Sequence, residues 1–262
     1  MKTITLLGAA CDANSSFLRG AALAPPLIRA ALTSPSSNAA SESGVELGVD
    51  YDFDDWGDVA CGGGEHEFDT LRTAAAQSAA PLLTLGGDHS VTYPIVAGLA
   101  QTHGPLNILH FDAHPDLYES FEGNPYSHAS PFARIMEKGH AKSLVQCGIR
   151  TLNAAQRAPA ERYNVRQFPS TGFDPNEIPI PAAPLYITID LDALDPAYCP
   201  GVSHYEPGGL SVRDVLAVLH RVSGPVVGAD VVEFNPLRDV NERTAYVAAK
   251  FVKELASLMV NA

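Results

Sequence analysis

The stretch Leu106-Asn107-Ile108-Leu109-His110-Phe111-Asp112-Ala113-His114-Pro115-Asp116 is a short apolar run that ends in carboxylate and imidazole side chains. A run of that length reads as a buried strand. Residues 112, 114 and 116 alternate, so in an extended chain their side chains point the same way. Two other stretches share this plan. Pro81-Leu82-Leu83-Thr84-Leu85 leads into Gly86-Gly87-Asp88-His89-Ser90, and Leu185-Tyr186-Ile187-Thr188-Ile189 leads into Asp190-Leu191-Asp192.

Outward from these, strands are expected at 144–147, 165–168 and 225–232. Helices are expected near 23–33, 66–79, 90–102, 129–139, 154–162, 211–222 and 242–259. The last carries Ala248, Phe251, Val252, Leu255, Leu258 and Met259 at spacings of three and four, one helical face. Ser211 with Asp214 makes a capping-box-like start for the helix before it. Such alternation predicts an α/β fold with a mostly parallel sheet covered on both faces. Ligands then bind beyond the carboxyl ends of the strands, so the three polar clusters are expected to converge there. The segment 33–65 is the least ordered by composition; within it Ser34-Pro35-Ser36-Ser37-Asn38 and the glycines 62–64 read as surface loops, as does 169–184. No internal repeat appears, and residues 1–262 are expected to form one domain.

Composition narrows the function. Hydrophobic residues make up 46% of 262 residues and charged residues 18%, enough for a buried core. The formal charge of −13, from 30 acidic and 17 basic residues, argues against nucleic acid or an anionic membrane as partner and suits a small cationic substrate. No apolar stretch of about 20 residues is present for a membrane span. The N-terminus, Met1-Lys2-Thr3-Ile4-Thr5-Leu6-Leu7-Gly8, reads as a strand and not as a signal or transit segment, so a cytoplasmic protein is expected. Cys11, Cys61, Cys147 and Cys199 are scattered and are read as free thiols.

An isolated Asp-x-Asp is usually a solvated turn, and a single strand-end histidine is usually a structural one. Three such clusters at one sheet edge point to metal. His89, Asp112, His114, Asp116, Asp190 and Asp192 bring four carboxylates and two imidazoles. Crowded carboxylates repel and resist ionisation, which two divalent cations would relieve. An oxygen-rich set with imidazole and no thiolate favours Mn²⁺, with Fe, Co, Ni and Zn left open. A water between two such ions becomes a nucleophile near neutral pH.

Gly-Gly-Asp-His-Ser (86–90), Phe-Asp-Ala-His-Pro-Asp (111–116), Ser-His-Ala-Ser (127–130), Ile-Asp-Leu-Asp-Ala-Leu-Asp-Pro (189–196) and Val-Val-Glu-Phe-Asn-Pro (231–236) resemble the signature motifs of the ureohydrolase family of arginases and agmatinases. The segments 14–20, 122–130 and 200–210 are similar to plant-type arginases; many relatives carry Thr-Gly-Thr-Pro where this chain has Val202-Ser203-His204-Tyr205. Without a targeting extension at its start, the chain reads as a compact bacterial relative of those plant enzymes. The resemblance implies a three-layer α-β-α domain and two Mn²⁺ per subunit. It also implies hydrolysis of L-arginine to L-ornithine and urea by a metal-bridging hydroxide, in a homo-oligomer, trimer or hexamer.

Carried over by motif, His89, Asp112, Asp116 and Asp190 hold one or both ions, and His114 and Asp192 complete the second site. Asp116 also accepts a hydrogen bond from the hydroxide. His128 matches a proton-shuttling histidine, suited to protonating a leaving amine. Glu233 matches the partner of the substrate guanidinium, a planar cation that a carboxylate pairs well. His204 is a substrate-side candidate, and Asn124 and Ser127 are candidates for the distal end of the substrate. His110 receives no chemistry, since support of a ligand from behind and simple burial both fit, and Glu119 and Glu122 fit attraction of a cationic substrate and a solvated loop face equally. Agmatine or another guanidino compound is the rival substrate. A non-catalytic regulatory homologue is opposed by the complete ligand set, and a one-zinc deacetylase by His89 and Asp116.

Overall fold

Strands buried on both faces need no polar alternation, and that is why the central strands of this molecule read as unbroken apolar runs. In the computed structural model, which describes residues 1–261, β1 is Lys2–Ala10, β2 Tyr51–Ala60, β3 Leu82–Leu85 and β4 Leu106–Phe111. They are followed by β5 (Ala141–Ile149), β6 (Arg166–Pro169), β7 (Leu185–Asp190) and β8 (Val226–Val232). All pair in parallel in one sheet of order β2-β1-β3-β8-β7-β4-β5-β6.

Helices cover both faces. α1 (Ala24–Leu32), α6 (Val212–Leu219) and α7 (Arg243–Val260) pack on one side, in a core with Ile28, Leu216, Phe251 and Leu255. α2 (Asp69–Gln77), α3 (Thr92–His103), α4 (Pro131–Glu137) and α5 (Ala154–Arg162) pack on the other, around Leu71, Ile95, Phe132 and Ala160. This is the expected three-layer α-β-α architecture. The stripe on α7 is buried at Ala248, Phe251, Val252, Leu255 and Met259, with Leu258 half-buried. Ser211 and Asp214 form the capping box of α6, each side chain bonded to the other's backbone N–H.

Two expectations are corrected here. Residues 51–60, which fall in the stretch least ordered by composition and carry no strand expectation, form β2 at the edge of the sheet. Its sequence Tyr-Asp-Phe-Asp-Asp-Trp-Gly-Asp-Val-Ala is mostly exposed and acidic, the composition that keeps an edge strand from pairing with other chains, and it lacks the apolar run of a central strand. Cys11 and Cys61, read as free thiols, are joined in a disulfide with their Cα atoms 5.2 Å apart. Ala10 and Ala60 are register partners on β1 and β2, so the cysteines that follow them are brought side by side by an unread strand. Cys147 and Cys199 are free and buried, and burial pushes both thiols up.

The sheet order decides where the chemistry lies. β3, β8, β7 and β4 are the four central neighbours, and the polar clusters follow their carboxyl ends. The turn after β3 needs its glycine: a Cβ on Gly87 would stand 1.8 Å from the Cys11 carbonyl oxygen, which accepts the Asp88 N–H at 2.8 Å.

Candidate metal centre and active site

Each central strand delivers its ligand-type side chains to one buried point. His89 opens the turn leading from β3 into α3; Asp112, His114 and Asp116 follow β4; Asp190 ends β7, with Asp192 two residues on. Short bonds to backbone shape these turns. Asp112 accepts the His114 N–H at 2.6 Å, Asp190 accepts the Asp192 N–H at 2.8 Å, and Asp192 accepts the Ala113 N–H at 3.2 Å. Asp116 is held at φ 49° and Glu233 at φ 63°, left-handed backbone that costs a residue with a side chain on the order of 1–3 kcal/mol.

His89 Nδ1 lies 3.1 Å from one carboxylate oxygen each of Asp112, Asp116 and Asp190. His114 Nδ1 lies 3.3 Å from the other oxygen of Asp112 and 3.1 Å from Asp192. Asp112 therefore reaches both groups, one oxygen to each. All six side chains are buried except His114, which is half-buried. His89 Nδ1 is fully buried and, although three carboxylates surround it, none meets it in hydrogen-bond geometry. Lone pairs that converge in this way fit a cation better than a proton. The Nε2 side of the ring is held by Thr188 Oγ1 at 3.1 Å, and Asp112 is steadied by His110 Nε2 at 2.8 Å, itself in contact with Gln146.

The electrostatics agree. Burial and then the charges of Asp192 and Asp112 push the Asp190 carboxyl well above its ordinary range, and burial with Asp112 pushes Asp116 up. Burial pushes the His89 and His114 imidazoles down, but the facing carboxylates outweigh it and raise both. Burial also opposes the charge on Asp112, yet its three histidine neighbours hold it well below the usual range. So much buried negative charge calls for cations.

Glu233 follows β8 and is placed by its own N–H, bonded to the Gly87 carbonyl at 2.8 Å. Its Oε1 accepts the His89 N–H at 2.9 Å and lies 2.9 Å from His128 Nδ1. Burial lowers the His128 imidazole, but the Glu233 charge and hydrogen bond overcome this and raise it to about 9. His128 Nε2 is 2.8 Å from Ser16 Oγ. The His204 ring stands 5.1 Å from that of His128, 6.0 Å from His114 and 5.7 Å from Phe17.

A cavity of about 210 Å³ opens onto this cluster. His114, Asp116, Asp190, Asp192, His128, His204 and Glu233 line it; His89 and Asp112 lie deeper and do not. Asn124 and Ser127 are not among the lining residues either. The Asn124 amide is spent on Asn14 and on the Tyr126 N–H, and Ser127 is buried with Oγ accepting the Ala129 N–H. The remaining wall comprises Ser16, Tyr118, Phe121, Ala129, Thr151, Asn153 and Gln156. None of these was singled out from the sequence for a role. Thr151 and Asn153 follow the end of β5, and a strand end was the available signal.

A model of the arginase family matches residues 2–257. Arginase 1, mitochondrial, of Arabidopsis thaliana is 47% identical over 273 residues, spanning 97% of this chain and 80% of that protein. An agmatinase of Bacillus cereus is 35% identical over 66% of this chain and 62% of its own length. The solved structure of arginase from Medicago truncatula matches with a TM-score of 0.90 at 40% identity, over 98% of this chain and 87% of that one. The cytoplasmic expectation is corrected by the first of these, a mitochondrial protein. A folded core reads the same in either compartment, so a strand-forming start does not decide location. None of the described helices is long and apolar enough to cross a membrane.

Proposed function

The chain belongs to the arginase family, and on that premise we propose that it hydrolyses L-arginine to L-ornithine and urea at a binuclear manganese site. One observation carries the reading. His89 with Asp112, Asp116 and Asp190, and His114 with Asp112 and Asp192, form two donor groups that share Asp112, all buried but the half-buried His114. Asp190, in the first group, accepts the N–H of Asp192, in the second. Hard oxygen donors with one imidazole in each group suit Mn²⁺. Two such ions, when bound, supply Lewis-acid polarisation and make water acidic enough to attack at neutral pH.

The chain's own side chains do the rest. Glu233 pairs with the guanidinium through charge-assisted hydrogen bonds and sets its central carbon beside the ligand cluster. Asp116, at the cavity wall, accepts a hydrogen bond from the attacking water. His128, held as imidazolium by Glu233, gives its proton to the departing amine. His204 closes the wall against both. The amino-acid head is assigned to Thr151, Asn153 and Gln156 in preference to Asn124 and Ser127, which do not line the cavity. Gln156 spends its carbonyl on the Leu117 N–H, and its NH₂ group remains as a donor for a carboxylate. Thr151 Oγ1 donates to the Ala113 carbonyl and keeps its lone pairs for the ammonium, while Asn153, whose amide is spent on Tyr118 OH and the Gln156 N–H, shapes that end of the wall; agmatine has no head to bind.

The single domain and a homo-oligomer, trimer or hexamer, belong to the same reading. Exposed Leu23, Leu237 and Val240 offer apolar surface for neighbours to cover. The test is a panel of arginine, agmatine and guanidinobutyrate after Mn²⁺ loading, with urea and amine products identified. Arginine is expected to be turned over fastest. Urea from agmatine alone would shift the reading to the rival substrate, and urea from none would defeat it.

A further inference from the structure

The segment between β1 and α1 contributes a wall of the cavity, and buried polar bonds hold it rigid. Asp12 accepts the Gly20 N–H at 2.8 Å and so closes the loop on itself. Inside it, the Asn14 N–H donates to fully buried Asp88 at 3.0 Å, and the Asn14 side chain donates to Ser90 at 3.1 Å. The Asn14 carbonyl in turn accepts the backbone N–H of His128 at 3.2 Å. The backbone of His128 and the backbone that carries Ser16 are thus tied together. This brings the exposed Ser16 Oγ to 2.8 Å from His128 Nε2.

His128 has one hydrogen-bond partner on each ring nitrogen, Ser16 on Nε2 and Glu233 on Nδ1. Glu233 Oε1 already accepts the His89 N–H. A guanidinium that pairs with Glu233 competes for the same carboxylate, and the His128–Glu233 bond is the one it contests. The bond to Ser16 lies on the opposite edge of the ring and is untouched. His204 packs against the ring without a hydrogen bond between them, so it does not set the ring's rotation.

We infer that Ser16 is a positioning residue for His128, holding the imidazole in its productive orientation when substrate occupies Glu233. This rests on the roles given to His128 and Glu233 above. A misplaced acid costs rate and leaves ground-state binding intact. The experiment compares Mn²⁺-loaded wild type, Ser16→Ala and Ser16→Thr for kcat and KM with arginine, each checked by its melting curve. Ser16 is exposed, so neither change disturbs a core. Ser16→Ala is expected to lose roughly tenfold to a hundredfold in kcat with KM within about twofold, and Ser16→Thr, which restores the hydroxyl, to regain most of it.

An unchanged kcat in Ser16→Ala overturns the inference. So does a rise in KM alone, which would make Ser16 a substrate contact, and so does an equal loss in Ser16→Thr. These outcomes differ from failure of the proposed function, in which wild type itself releases no urea.

Discussion

Asp112 is the residue on which both donor groups depend, since its two oxygens are divided between His89 and His114. Asp112→Asn keeps the shape and one acceptor oxygen but removes the charge. It is expected to weaken binding at both positions by more than roughly a hundredfold, beyond the usual effect of losing an outer partner of a ligand. Manganese per chain after desalting, measured by elemental analysis, checks this; two retained ions would refute the sharing. At this scale the sequence was legible where chemistry needs a rare side chain. Carboxylates and imidazoles clustered at strand ends announce themselves. Ser16, Thr151, Asn153 and Gln156 do not, because hydroxyls and amides are common in loops and acquire meaning only from the cavity they face. Asn124 shows the converse: a polar residue in a suggestive loop, fully occupied in bracing Asn14 and Tyr126.

Elements were legible in proportion to their burial. β4 and β7 announce themselves by apolar runs because neighbours and helices cover them on all sides, and α7 by a stripe that meets the core on one face. β2 has neighbours on one edge only, and its aspartates face solvent or Arg29 of α1, which pairs with Asp55 at 2.7 Å and with Asp58 at 2.5 Å. No hydrophobic period marks such a strand, and missing it hid the disulfide as well. That bond closes a loop of 50 residues that runs from the end of β1 through α1 to the end of β2. By loop-closure entropy it contributes at most about 4 kcal/mol, with 2–4 typical. Cys61→Ser is expected to lower unfolding free energy by roughly that amount in oxidising buffer and to match wild type once both are reduced. Denaturant titration in the two buffers measures it. Equal stability in oxidising buffer would mean the cross-link does not contribute to the fold.

Across the whole molecule, the cost of the site is spread over the fold that assembles it. Four neighbouring strands end in acidic or imidazole groups that repel or must be buried together, and burial opposes the charge of Asp190 and Asp116 in particular. A protein that gathers charge in this way is stabilised by whatever neutralises it, because ions bind the folded arrangement and not the open chain. An ion present at a hundred times its dissociation constant adds about 2.7 kcal/mol, and for a chain of this size each kcal/mol moves the melting temperature by about 2–4 °C. Chelator-treated protein is therefore expected to melt roughly 5–10 °C higher once Mn²⁺ is restored, per ion bound at that excess. Mg²⁺ should give a smaller shift, since it prefers all-oxygen octahedral sites and each donor group here includes an imidazole. Differential scanning calorimetry with Asp112→Asn beside wild type locates the effect. No shift with any divalent ion would contradict a metal centre, and the same Mn²⁺ shift in the variant would place the ion elsewhere on the protein.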